Sequence, residues 1–168
     1  ATHLPLTSHT PRHSSDATAA QPMREDGRMR LTMLLCDHAV VAEGKLYING
    51  GGWSVRPSTP VPMFLALKFD VPWDMADRAI TLELRLVDED GRPVVQHGPQ
   101  GDHEVFFGAQ LEVTRPPGLV AGAPIDAAMA IGVPPFGLPA GRRFSWRLTI
   151  DGESKTDWAV EFATRADV

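Results

Sequence analysis

Apolar side chains return at every second position along most of the chain after Arg30, and no other feature constrains the fold as strongly. Met63, Leu65, Leu67, Phe69 and Val71 form one such row, and Leu82, Leu84 and Leu86 a second. Val105, Phe107, Ala109, Leu111 and Val113 form a third. Phe144, Trp146, Leu148 and Ile150, followed by Trp158, Val160 and Phe162, complete the set. Polar residues fill the gaps, as Thr81, Glu83 and Arg85 do in the second row and Arg143, Ser145, Arg147 and Thr149 in the fourth. A period of two puts each row on one face of a strand and leaves the other face wet.

Turn chemistry falls between the rows. Glu43-Gly44, Asp90-Gly91 and Asp151-Gly152 supply the positive φ that tight hairpins require. Pro116-Pro117-Gly118 and Pro134-Pro135 are expected to end strands, because proline cannot donate to a ladder. The chain holds 15 Gly and 15 Pro among 168 residues, well above ordinary usage. That punctuation excludes a helical bundle, and no segment is long enough for the crossover helices of a parallel sheet. The expectation is an all-β domain with about eight or nine strands in two packed antiparallel sheets. One short turn of helix is expected within residues 73–79. Residues 1–28 lack large apolar groups and read as a disordered tail, including His3, His9 and His13. Residues 29–168 read as a single domain.

Charge and cysteine usage narrow the function. The formal net charge is −5, and no basic run exceeds Arg142-Arg143, which argues against nucleic-acid binding. Cys36 is the single cysteine. It excludes an internal disulfide or a paired-cysteine metal knuckle, and its apolar neighbours predict a buried, unreactive thiol. With no apolar leader behind a basic start and no spanning segment in the sequence, a cytoplasmic location is expected.

Two stretches resemble a bacterial family known only as a domain of unknown function. The first is Leu34-Leu35-Cys36-Asp37 with Glu43-Gly44-Lys45-Leu46-Tyr47-Ile48 and Gly50-Gly51-Gly52-Trp53. The second is Leu138-Pro139-Ala140-Gly141-Arg142-Arg143-Phe144-Ser145-Trp146, continuing to Gly152. The resemblance covers roughly residues 30–163 and implies an immunoglobulin-like β-sandwich with no established activity. Phe144 stands where such sandwiches often carry a corner tyrosine, so that hydroxyl's hydrogen bond is absent.

Asp70, Asp74 and Asp77, and separately Asp88, Glu89 and Asp90, offer carboxylates of the kind that hold calcium. The strand between them spans about 25 Å, so the two groups should cap opposite ends. No Gly-x-Ser-x-Gly elbow or HExxH helix is present, and no catalytic residue or cofactor is assigned. His97 and His103 flank the loop containing Asp102, where two histidines and a carboxylate could converge on a metal. Asn49-Gly50-Gly51-Gly52 leads into more strand and not into a helix. It reads as a bulge or a close backbone approach and not as a phosphate cradle.

The outward row of residues 125–133 is the main irregularity. Asp126, Ala128, Ala130 and Gly132 are small and almost uncharged, and Phe64, Ala66 and Phe106 also fall off phase. A solvated face would be polar, so either another part of the chain or a second chain covers these positions. The expected function is a non-enzymatic binding or scaffolding module with a protein partner or a second copy. Phe64, Phe106, Ala128, Ala130 and Trp53 are the candidate contacts. The alternative is a metal-binding protein using His97, Asp102 and His103.

Overall fold

The computed structural model describes residues 28–99 and 101–166. The expected tail lies almost wholly outside the described residues, as do its three histidines. Eleven strands are present among the described residues: β1 (Arg30–Ala42), β2 (Lys45–Gly51), β3 (Val55–Arg56), β4 (Val61–Val71), β5 (Ala79–Asp88), β6 (Val95–Gly98), β7 (Gly101–Glu104), β8 (Phe106–Glu112), β9 (Ile125–Phe136), β10 (Arg143–Ile150) and β11 (Glu153–Thr164). The excess over the expected number comes from short elements, namely β3 and the β6–β7 hairpin. A single 3-10 turn at Trp73–Met75 is the only helical element among them.

Four strands form one sheet in the order β2-β1-β4-β9, and five form another in the order β3-β11-β10-β5-β8. Pairing is antiparallel except where β3 runs parallel to β11. The inward rows are those that alternation marks. Met63, Leu65, Leu67, Phe69 and Val71 are fully buried, and Leu82, Leu84, Leu86, Trp146 and Leu148 are nearly so. Rows from both sheets share one apolar cluster, in which Phe107 meets Trp146 at 5.8 Å and Phe144 stacks on Phe162 at 5.7 Å.

The hairpin turns adopt the backbone that their sequences require. Glu43 and Gly44 (φ 51° and 71°) close β1–β2, and Asp151 and Gly152 (φ 49° and 80°) close β10–β11. Asp151 also ties its turn to β5, because its carboxylate accepts from Thr81 N–H and from Arg78, both at 2.8 Å. Those two donors hold the Asp151 carboxyl below its usual pKa, the Thr81 amide being the larger cause.

The expectation that Pro134-Pro135 ends a strand is corrected by the structure, since both lie inside β9. β9 is an edge strand, and its register against β4 slips between Val61 and Met63. An edge that faces solvent and a bulge are the two places where a strand tolerates a missing N–H.

Candidate functional site

The outward side of the four-stranded sheet is where the chain departs from simple alternation. β1 pairs with β4 only from Arg30 to Cys36, whereas its pairing with β2 continues to Ala42. The far halves of β1 and β2 therefore leave the sheet as a two-stranded ribbon. The ribbon bends back. β2 approaches both β4 and β9, although two intervening strands would keep β2 about 14 Å from β9 in a flat sheet.

Gly50 makes the bend possible. Its φ is +60°, and a Cβ there would lie 2.1 Å from Oδ2 of Asp37, the residue between the Cys36–Gly51 and His38–Asn49 pairs. Only glycine combines that left-handed backbone with room for the carboxylate. The Gly-rich stretch is thus a close approach, as expected, and it acts as the corner of the ribbon.

Folding back creates a second, smaller apolar cluster. Ala39 and Leu46 of the ribbon pack with Cys36, Phe64, Ala66 and Ala130 on the sheet's outward side. This explains why Cys36 and Ala66 are buried although they face away from the main core. The Cys36 thiol is pushed above its usual pKa, first by burial and then by the neighbouring Asp37 charge. Its Sγ donates to Phe64 O at 3.6 Å. His38 caps Phe64 with ring centroids 4.8 Å apart.

The ribbon's other side is open. Val40 and Tyr47 lie directly opposite one another and are 46% and 51% exposed. Val41 and Ile48 share the face of Leu46 and Ala39 and are still 36% and 39% exposed. Alternation did not single these residues out. The available signal was the adjacency of Val40-Val41 and Leu46-Tyr47-Ile48, which puts apolar groups on both faces of one hairpin.

The five residues expected as contacts fall in different settings. Phe64 and Ala130 are half-buried beneath the ribbon, and Ala128, opposite Lys68, is half-buried beside them. Trp53 is half-buried and meets Phe162 edge-on at 6.1 Å. Phe106 is exposed on the five-stranded sheet, with the Arg85 guanidinium 5.1 Å from its ring.

The metal expectation at residues 97–103 does not match the geometry. His97 and Asp102 pair across the β6–β7 hairpin, 2.6 Å apart at Nδ1 and Oδ1. His103 pairs with Gln96 and so points to the other face, because successive residues on a strand alternate. Among the described residues, no group of three His, Cys, Asp or Glu is placed to hold an ion. The acidic groups are engaged otherwise. Asp70 pairs with Lys68 and Arg30, Asp77 with Arg115, Asp90 with Arg92 and Glu89 with Arg142. The Lys68 ammonium holds Asp70 below the usual carboxylate range, and Asp70 in turn raises Lys68.

A cavity of about 320 Å³ lies beside Met29, Met75, Arg78, Asp151, Lys155 and Trp158. Its cations are already engaged, Arg78 by Asp151 and Lys155 by the Trp158 ring at 4.4 Å. No helix among the described residues is long and apolar enough to cross a membrane.

No curated protein and no solved structure matches the chain. A family model does, over residues 31–162, a span that takes in both sheets and the folded-back ribbon. The chain therefore belongs to the family of unknown function DUF6941.

Proposed function

We propose that this chain is a non-enzymatic binding or scaffolding module, an immunoglobulin-like β-sandwich that acts through protein–protein contacts. One observation carries the reading. The β1–β2 ribbon presents Val40 and Tyr47 to solvent as one cross-strand pair, with Val41 and Ile48 exposed on its other face. Exposed apolar side chains gathered on one hairpin mark interaction surfaces, and the aromatic among them is the usual anchor. Phe106, stiffened by Arg85, is a smaller contact on the opposite sheet. The net charge of −5 favours a protein over nucleic acid as partner. The single buried thiol of Cys36 suits a reducing, cytoplasmic setting in a bacterial cell.

The test is a photo-crosslinking residue placed at position 47 in the full chain, activated in the native host. A discrete protein adduct is expected from position 47. The control is position 157, exposed on β11, where the adduct should be absent. Equal labelling from both positions, or none from position 47, overturns the reading.

A further inference from the structure

We infer that the surface on β2 is filled by a second copy of this chain, the two β2 strands pairing antiparallel across a two-fold axis at Tyr47. This deepens the proposed function and rests on the ribbon being the contact surface.

The backbone supplies the first reason. Among the described residues, β2 is an outer strand of its sheet, bonded only to β1. The two-residue turn makes Ala42 and Lys45 the closing hydrogen-bonded pair, so the N–H groups of Leu46 and Ile48 point away from β1. Neither amide has another backbone partner among the described residues. The opposite edge of the same sheet, β9, is protected by Pro134, Pro135 and a register slip. β2 carries no proline and a single charge, at Lys45. An unprotected apolar edge beside a protected one is a pairing site.

The order of side chains supplies the second reason, and it specifies a second copy. Gly50's left-handed backbone interrupts the ladder, which leaves Lys45 to Asn49 as the regular edge, with Tyr47 at its centre. Antiparallel pairing about Tyr47 sets Leu46 against Ile48 of the other copy, and each exchanges its outward N–H and C=O. Tyr47 meets its own copy in a close, non-hydrogen-bonded pair. Lys45 falls opposite neutral Asn49, so no like charges meet. The pairing joins the two ribbons into one four-stranded sheet and sets the Tyr47 side chains of the two copies side by side.

Sedimentation and light scattering of the full chain test this. The expected mass is twice 18.3 kDa. Tyr47→Asp, which sets two carboxylates against each other at the axis, should raise the dissociation constant by about tenfold or more, with near-UV circular dichroism unchanged. Tyr47→Cys should form an intermolecular disulfide under mild oxidation, whereas Lys45→Cys should not, because position 45 faces position 49. A monomer at all concentrations overturns the inference, as does a dimer indifferent to Tyr47→Asp or one crosslinked through position 45. A monomer that still crosslinks a different protein through position 47 overturns the second copy alone and leaves the broader function standing.

Discussion

The two sides of the four-stranded sheet are built from the same strands and behave differently. The inward side carries Met63, Leu65, Leu67 and Phe69 against a complete second sheet, and all four are fully buried. The outward side carries Phe64, Ala66, Ala130 and Cys36 beneath a two-stranded ribbon, whose far face exposes Val40 and Tyr47. Covering an apolar face with a sheet ends the matter. Covering it with a ribbon moves the apolar surface one layer outward. Isolated two-stranded ribbons are marginal in water, so this one depends on its docking against the sheet.

The largest effect should come from the inward side. Trp146→Ala removes a fully buried indole at the centre of the shared core and should cost about 3–5 kcal/mol in a urea titration. A cost below about 1 kcal/mol would mean that the two inner rows do not share a core.

Gly50→Ala probes the outward side. The added Cβ meets Asp37 at a left-handed backbone, which should cost about 1–3 kcal/mol. Amide exchange should accelerate across residues 37–50 and stay slow in β4 and β10. Asp37→Gly in the same chain should recover part of the loss, since it removes the clash and leaves the backbone strain.

Arg56 joins the loop after β3 to the end of β9. It is 3% exposed and donates to the carbonyls of Pro57, Thr59 and Phe136 at 3.0–3.1 Å. Burial lowers its pKa. Arg56→Met keeps much of the volume but leaves three acceptors unpaired, and should cost about 1–3 kcal/mol.

Acid should act through Asp70 and Asp151. Both have folded pKa values below their unfolded ones, so their contribution is present above about pH 4 and lost as pH falls through the folded values. Lys68 has the opposite sign. Its raised pKa gives stability that is present below its unfolded value and lost as pH rises through the folded one. Asp151→Asn should flatten the acid limb of a denaturation series, and Lys68→Met the alkaline limb.

Phe106→Ser should have the smallest effect on folding, within about 0.5 kcal/mol, because the ring is exposed.

The inner rows were legible because a strand's period of two turns burial directly into sequence. The tight turns were legible because Glu43-Gly44 and Asp151-Gly152 have few conformational alternatives. The return of the ribbon was not legible. It depends on Asp37 lying over Gly50 across a strand pair, a contact between residues thirteen positions apart. The off-phase alanines showed that something covers the sheet and left the cover unidentified. Arg56 gave no signal, since a lone arginine before proline reads as a loop. His97 and His103 were grouped by proximity along the chain, whereas the pleat separates them.

The central claim is that residues 37–50 fold back over the sheet. Methyl-labelled nuclear Overhauser spectra of the full chain test it most directly. Cross-peaks from Leu46 to Ala66 and Ala130 are expected, with none from the Tyr47 ring to either alanine. Cross-peaks confined to the β1–β2 ladder, with Ala66 and Ala130 showing none to Leu46, would contradict the account.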